Sequence, residues 1–472
     1  MNRQIAHVLI PLALAGPYSY LVPQHLHLSE GDFVQIPLGT RKVIGVIWKL
    51  PEEPEEDDEN PRKLREIITR LENLPLPSLM RKFIDWVAAY TLSPPGLVLK
   101  MAMSVPQALE AEKTRSFYRL TKTRPERLTP ARERILSVMA DGLARRASEI
   151  THLANTSASV LKGLVAQGVL EQLALPVRLA LKSPDPDAPG FELSLDQNAA
   201  ALRIRKELLQ PDTHKTALLD GVTGSGKTEV YLDAVAQILK AGRQVLVLLP
   251  EIALTSQFLD RFEARFGAPP ALWHSAVPTA RRALIWRGVR RGEIQIVVGA
   301  RSALFLPFCD LGLIIVDEEH ESAFKQEDGV TYHGRDMAVV RAYLGDIPVI
   351  LSSATPSVET LNNARNGKYR HIILHTRHGG ARLPAISTID MRKHPPGRQK
   401  WLSPKLIEAA RQTLERGEQV LLFLNRRGYA PLTLCRNCGY RMACPHCQAW
   451  LVEHRYRGRL ICHHCGYTAR TP

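Results

Sequence analysis

The chain has 472 residues, enough for about three domains at roughly 150 residues each. Apolar residues make up 45% and charged residues 23%; these proportions exclude wholesale disorder and a collagen-like repeat, and no uninterrupted apolar run approaches the roughly 20 residues that cross a bilayer. Lysine and arginine number 62 against 47 acids, a formal charge of +15, and because seven of those acids crowd into Glu52–Glu59 the rest of the surface is more basic still and favours a polyanionic partner, most economically nucleic acid.

At the start, Arg3, the apolar stretch Val8–Leu14 and Ala13-Leu14-Ala15 imitate a secretory leader. The stretch is short and holds Pro11, and Tyr18-Ser19-Tyr20-Leu21-Val22 continues it as a strand, so the expected location is the cytoplasm with no membrane partner. Phe33–Ile36 and Val43–Trp48 flank a Gly39-Thr40 turn and read as a hairpin. The acidic run 52–59 reads as a solvated loop. Leu79, Phe83, Trp86, Val87 and Tyr90 recur at helical spacing, and Pro94-Pro95-Gly96 breaks the helix. Residues 1–105 are expected to form a small β-rich domain.

The texture then changes. Three short helices are expected at Ala131–Met139, at Ser148–Leu153 and from a Thr156 or Ser157 cap to Gln167, with Gly168 as the stop and a strand at Val169–Glu171. This pattern over 110–182 describes a winged helix, a DNA-binding module. Pro184–Pro189 reads as a linker. Apolar strand runs at Ala217–Leu219, Val245–Leu249, Ile294–Val298, Leu313–Val316 and Val349–Leu351 alternate with helices, which implies a parallel sheet covered on both faces. The expected fold is multidomain α/β, with a P-loop, RecA-like lobe over 191–395.

Gly221-Val222-Thr223-Gly224-Ser225-Gly226-Lys227-Thr228 matches G-x-x-x-x-G-K-[ST], set between a strand and the helix Glu229–Lys240. Its glycines let backbone N–H groups turn toward phosphate oxygens, the helix start adds positive dipole, Lys227 brings a charge to the outer phosphates and Thr228 a hydroxyl to Mg²⁺. Leu313–Val316 ends in Asp317-Glu318-Glu319-His320, placing acids where open α/β sheets bind ligands. Asp317 would face Mg²⁺ and Glu318 would orient or deprotonate the attacking water, making Lys227, Asp317 and Glu318 the candidate catalytic set. Leu249–Thr255, Gly299-Ala300-Arg301-Ser302 and Ser352-Ser353-Ala354-Thr355-Pro356 also lie at strand ends. Arg301 is a candidate phosphate contact for a single strand. Ser353 and Thr355 are candidates for linking hydrolysis to movement. Phe324, Lys325, Tyr332 and His333 interleave aromatic and polar groups on an expected loop suited to base stacking.

Six of the seven cysteines form the pairs Cys435/Cys438, Cys444/Cys447 and Cys462/Cys465. Thiolates two residues apart make metal knuckles, and the last two pairs supply a complete tetrahedral structural zinc site. The first pair needs two further ligands. Cys309 stands alone and reads as a packed core thiol. Residues 400–433 are expected to begin a second lobe, and 434–472 to form a zinc module, incomplete here.

Together, Gly221–Tyr231, Leu249–Thr255, Gly299–Ala303, Asp317–His320, Phe423–Tyr429 and the cysteine pairs resemble the bacterial primosomal protein N′ family of superfamily-two DNA helicases, over the whole chain. The resemblance implies a 3′-end DNA-binding domain, a winged helix, and two helicase lobes, the second interrupted by a two-zinc module. It implies ATP-driven 3′→5′ unwinding at abandoned replication forks and the start of primosome assembly, with forked and single-stranded DNA, single-stranded DNA-binding protein and other primosome proteins as partners. By the same resemblance Gln197 contacts adenine, Tyr18, Tyr20 and Gly39 line the 3′-end pocket, and Phe324–His333 reports DNA binding to the nucleotide. Ser19 replaces the family's aspartate, and Val330 a tryptophan common in related chains. The chain stops inside the zinc module, before the final cysteine pair and the arginine-finger motif of lobe two, so a longer parent is expected. The competing expectation is a noncatalytic fork-binding scaffold that recruits primosome proteins.

Overall fold

The computed structural model describes residues 4–51, 64–112, 114–179, 181–210, 215–250, 256–377, 385–397, 400–423, 440, 442–447, 450–454, 459–462 and 465–470. They belong to two units, Met1–Ala381 and Arg382–Pro472.

The first unit opens with β1 (Ile5–Leu9), β2 (Tyr18–Leu21), β3 (Phe33–Leu38), β4 (Arg41–Lys49) and β5 (Thr69–Arg70). They form one antiparallel sheet in the order β2-β1-β4-β3-β5. The β3–β4 hairpin turns at Gly39, whose φ of 59° favours glycine. One apolar face of the sheet is covered by α1 (Ser78–Thr91) and α2 (Pro95–Ala102). Leu92 closes α1 in the left-handed region, and Pro95 opens α2 where its missing N–H is not needed. This region shares its core with residues 271–349. Phe83 packs on Phe305 at 5.4 Å and Phe33 meets Trp286 edge-on at 6.0 Å. Arg287 and Arg290 donate to the carbonyls of Ala108 and Pro75 at 2.9 and 2.7 Å. Arg341, fully buried, donates to the Leu304 and Leu306 carbonyls with the Phe83 and Phe308 rings beside it.

Next come β6 (Thr114–Leu120), α3 (Pro130–Val138), β7 (Arg145–Arg146), α4 (Ala147–Leu153), α5 (Ala158–Ala166) and β8 (Leu170–Pro176). The strands pair antiparallel in the order β7-β6-β8. Ile135, Met139, Ile150, Leu161, Leu164 and Val169 close a separate small core between them and the helices. The expected linker 184–189 lies against the following lobe instead. The Asp185 N–H donates to Phe266 O at 2.8 Å, Arg265 to Ala188 O at 2.9 Å, and Lys240 pairs with Asp187 at 2.6 Å.

The lobe runs through α6 (Leu195–Glu207), β9 (Thr216–Gly221), α7 (Lys227–Lys240), β10 (Gln244–Leu248), α8 (Ser256–Phe266), β11 (Ala271–Trp273), α9 (Thr279–Arg290), β12 (Ile296–Gly299) and β13 (Leu311–Asp317). It continues through β14 (Lys325–Gln326), β15 (Tyr332–His333), α10 (Gly334–Leu344), β16 (Val349–Ser353), α11 (Val358–Arg365) and β17 (Arg370–Leu374). Seven strands pair in parallel in the order β11-β12-β10-β13-β16-β9-β17. Alternate residues feed opposite faces: Leu246, Ile314 and Leu351 enter one core, Val247, Ile315 and Ile350 the other. Each such side chain contributes about 1.5–3 kcal/mol by leaving water. Cys309 corrects its expectation. It is exposed at the bend before β13, where its N–H and Sγ lie 3.0 and 3.2 Å from Gln244 Oε1. Gln244 takes the backbone of this bend as its partner, and the thiol is left at the surface beside exposed Asp310.

The second unit contains α12 (Pro404–Glu415), capped by Ser403, and an antiparallel sheet of β18 (Val452–His454), β19 (Arg459–Ile461) and β20 (Thr468–Arg470). No helix among the described residues is long and apolar enough to cross a membrane.

Candidate active site and metal centre

The strand order sets β16 between β9 and β13. The segments that leave all three strands therefore emerge side by side at the carboxyl edge of the sheet. Gly221 ends β9, and Gly224 and Gly226 take φ of 82° and 80°, which turns the loop amides inward before α7 begins at Lys227. A Cβ on Gly226 would stand 2.1 Å from Gln197 Nε2. Gln197 is buried, accepting from Ser194 N and donating to Ser225 O, each at 2.9 Å, so it caps α6 and braces the loop at once. Lys227 is 8% exposed and donates 2.8 Å back to the Gly221 carbonyl. Ser225 Oγ is buried with no hydrogen-bond partner among the described residues. A cation held by one carbonyl, an orphan hydroxyl and inward amides form a cradle chemically fit for phosphate.

Asp317 ends β13, nearly buried. Its oxygens accept from Tyr231 Oη at 2.9 Å and Ser352 Oγ at 2.7 Å. Burial, then the Asp317 charge, push the Tyr231 phenol far above its usual range, so it remains a donor. Thr228 shares a hydrogen bond with the same phenol, which links the end of the phosphate loop to Asp317. A Thr228 hydroxyl and an Asp317 carboxylate of this kind suit a hard divalent cation. Glu318 sits at φ 50° and is raised above the usual carboxylate range, chiefly by burial and next by Asp317, with Lys227 and His320 pulling the other way. Lys227, Asp317 and Glu318 thus share one electrostatic neighbourhood.

The acidic segment is fastened to the one after β16. Glu319 N donates to Ser352 O at 3.1 Å, and His320 Nδ1 lies 2.8 Å from Ser353 Oγ, which also accepts from Thr355 N at 3.0 Å. Sequence reasoning assigned no role to Glu319, Arg335, Ser357, Thr360 or Tyr231. Fully buried Glu319 accepts from Ser357 N at 2.7 Å, Thr360 Oγ1 at 3.0 Å and Arg335 Nη1 at 3.2 Å. The available signal was a third acid after a strand buried on both faces, where a charge demands a partner.

The candidate DNA residues disperse. Tyr18 is 44% exposed, but Tyr20 is buried and donates to Pro37 O at 3.0 Å. Gly39 O accepts from Arg65 at 2.5 Å. Arg301 is committed to the Ala323 and Lys325 carbonyls at 2.6 and 2.9 Å. The expected loop 324–333 contains the hairpin β14–β15. Phe324 and Tyr332 are 1% and 5% exposed, with Tyr332 edge-on to Phe305 at 5.6 Å, so these rings are core and offer no face to a base. Lys325 is exposed and pairs with Glu327 at 2.9 Å, while His333 is half-buried. The segment 251–255 and residues 424–429 lie outside the described residues.

In the second unit the Sγ atoms of Cys444, Cys447, Cys462 and Cys465 all lie within 4.8 Å of one another, with contacts of 3.5 Å (Cys444–Cys465) and 3.4 Å (Cys447–Cys462). Sulfurs about 2.3 Å from a common centre form such a cluster, and four thiols without an oxygen ligand suit zinc in a closed structural site. Cys435 and Cys438 lie outside the described residues.

Residues 198–364 match the DEAD/DEAH box helicase family, so the sheet and its phosphate edge are those of a helicase lobe. Residues 7–104 match the PriA 3′ DNA-binding domain, and 444–470 the Cys-rich region of PriA DNA helicase. The replication restart protein PriA of Rickettsia conorii is 36% identical over 468 residues, covering 99% of this chain and 60% of that protein. The Haemophilus influenzae protein is 36% identical over 478 residues, 99% of this chain and 65% of its own length. The Bacillus subtilis protein is 41% identical over 338 residues, 70% of this chain and 42% of its own length. The chain belongs to the PriA replication-restart family, and it spans 60% of the R. conorii relative's length.

Proposed function

We propose that this chain is the nucleotide-binding and DNA-binding portion of an ATP-dependent 3′→5′ DNA helicase that recognises stalled replication forks and starts primosome assembly. The observation that carries this reading is the convergence of Lys227, Asp317 and Glu318 at the edge of a parallel sheet that shares a core with the 3′ DNA-binding region. The loop amides, Ser225 and Lys227 bind the phosphates of ATP. Thr228 and Asp317 hold Mg²⁺, which screens phosphate charge. Glu318 orients water toward the outer phosphate, and Gln197 braces the loop beside the base. His320–Ser353–Thr355 passes the state of the acidic segment to the next strand end. Residues 1–105 serve as the 3′-end domain through Tyr18 and Gly39, 110–182 as a winged helix, 191–395 as lobe one, 400–433 as the start of lobe two and 434–472 as the zinc module. The basic charge of the chain supports a DNA partner in the cytoplasm, with single-stranded DNA-binding protein among the proteins met there.

Phosphate release with forked DNA, measured on the chain and on its full-length parent at one stated salt concentration, tests the reading. DNA-stimulated release by the parent, abolished by Lys227→Ala with fork affinity retained, is expected. Fork binding by the parent without any release would establish the scaffold instead.

A further inference from the structure

Four non-glycine residues among those described have positive φ: Leu92, Asn155, Asp346 and Glu318. The first three follow helices, where a left-handed residue is a routine ending. Glu318 follows a strand, carries a long side chain that gains nothing from this conformation, and bears a carboxylate whose charge Lys227 favours. Such a residue relaxes unless its surroundings over-determine it.

Both flanks of Glu318 are fixed. On one side Asp317 is held by Tyr231 and Ser352. On the other, Glu319 is 0% exposed and gathers three segments on one carboxylate. Ser357 N and Thr360 Oγ1 reach it from the start of α11, and Arg335 Nη1 from the start of α10, while Arg335 also donates to Ser357 Oγ at 2.6 Å. Arg335 is itself only 7% exposed and is steadied by Asp336 at 2.8 Å. Turning Glu318 to the right-handed region would swing the next residue out of this pocket and leave two buried charges apart, a larger penalty than the strain it relieves.

We propose that Glu319 and Arg335 form a clamp whose task is to keep Glu318 in its left-handed conformation, with its carboxylate on the phosphate side; both are positioning residues for hydrolysis. The proposal rests on Glu318 being the water-orienting group. Without the clamp the backbone at 318 is free to relax, and the carboxylate loses its aim while Lys227, the loop amides and Asp317 stay in place. Binding of ATP therefore survives and turnover does not.

The experiment uses the full-length protein with single-stranded DNA, comparing Arg335→Met, Arg335→Lys, Glu319→Gln and Glu318→Gln. For Arg335→Met kcat should fall about 10–100-fold, the scale of a small misplacement of a reacting group. KM, the affinity for a fluorescent ATP analogue and the affinity for DNA should each stay within about twofold. Arg335→Lys should restore part of kcat, since it keeps the charge opposite Glu319. If Arg335→Met fails to fold, Glu319→Gln, which keeps the shape and the acceptor for Ser357 N, must show the same fall confined to kcat. Wild-type kcat in both clamp variants, with Glu318→Gln inactive, overturns the clamp. So does a fall in which KM, nucleotide affinity and DNA affinity all move together, as in general unfolding. Retained turnover in Glu318→Gln would instead overturn the role given to Glu318 itself.

Discussion

The phosphate edge of the parallel sheet and the cysteine cluster of the second unit both gather reactive side chains within a few ångströms, but they are held in opposite ways. At the sheet edge the protein supplies the order. Tyr231, Ser352 and Gln197 fix Asp317 and the loop through hydrogen bonds from neutral donors, anchored on strands with complete ladders. In the cysteine cluster the short strands β18–β20 and a core of little more than Cys444, Leu451, Leu460 and Cys462 bring four sulfurs together. So small an apolar core contributes little, and the metal supplies most of the order. A site framed by a large core survives without its ligand, whereas one framed by its ligand does not.

The sharpest way to break this comparison is to remove zinc. Structural zinc contributes about 10–16 kcal/mol in small domains. Chelation, or Cys462→Ser, should therefore open 440–470 to protease and release about one equivalent of zinc per Cys₄ site in a metal assay, with the thermal transition of the first unit unchanged. Loss of that transition as well would erase the distinction. Next in size, Gly226→Ala places a methyl against Gln197 in a left-handed position, which costs about 1–3 kcal/mol. It should weaken binding of a fluorescent ATP analogue and lower the melting temperature of the first unit together. Tyr231→Phe removes one buried hydrogen bond to Asp317. It should raise the Mg²⁺ concentration needed for half-maximal nucleotide binding, with a stability loss of about 1–3 kcal/mol for the acceptor left short.

The smallest effect is one of pH. Glu318 has its folded value raised, by burial first and the Asp317 charge second. It therefore holds its proton at pH values where a free glutamate is ionised, and the ionised form is lost as pH falls through that raised value. The acid limb of kcat in the full-length parent should lie above the ordinary glutamate value of 4.5. An acid limb at or below that value would remove the desolvated carboxylate from the account.

Much of the lobe was legible because parallel strands buried on both faces advertise themselves as apolar runs; β9, β10, β13 and β16 fall where those runs do. The edge strands β11 and β17 escaped, being short or half-exposed, as did β6, whose residues alternate without an apolar run. The phosphate loop and the two complete cysteine pairs were legible because their chemistry demands fixed spacings. The hairpin 324–333 misled for the converse reason. Aromatic rings beside basic residues fit base stacking and core packing equally well in a string of letters, and only the Phe305 ring placed against Tyr332 decides it. The Glu319–Arg335 pair was invisible because its members are separated in sequence and meet only through the packing of α10 and α11.

The most direct measurement is calorimetric titration of Mg·ATP into the wild-type chain and into Lys227→Ala. The account predicts saturable binding by the wild type and a loss of about 2–5 kcal/mol in the variant, the scale for removing one partner of a buried charge contact. Equal affinity in the two proteins, with both folded, would contradict the placement of the phosphates against Lys227 and with it the nucleotide site as a whole.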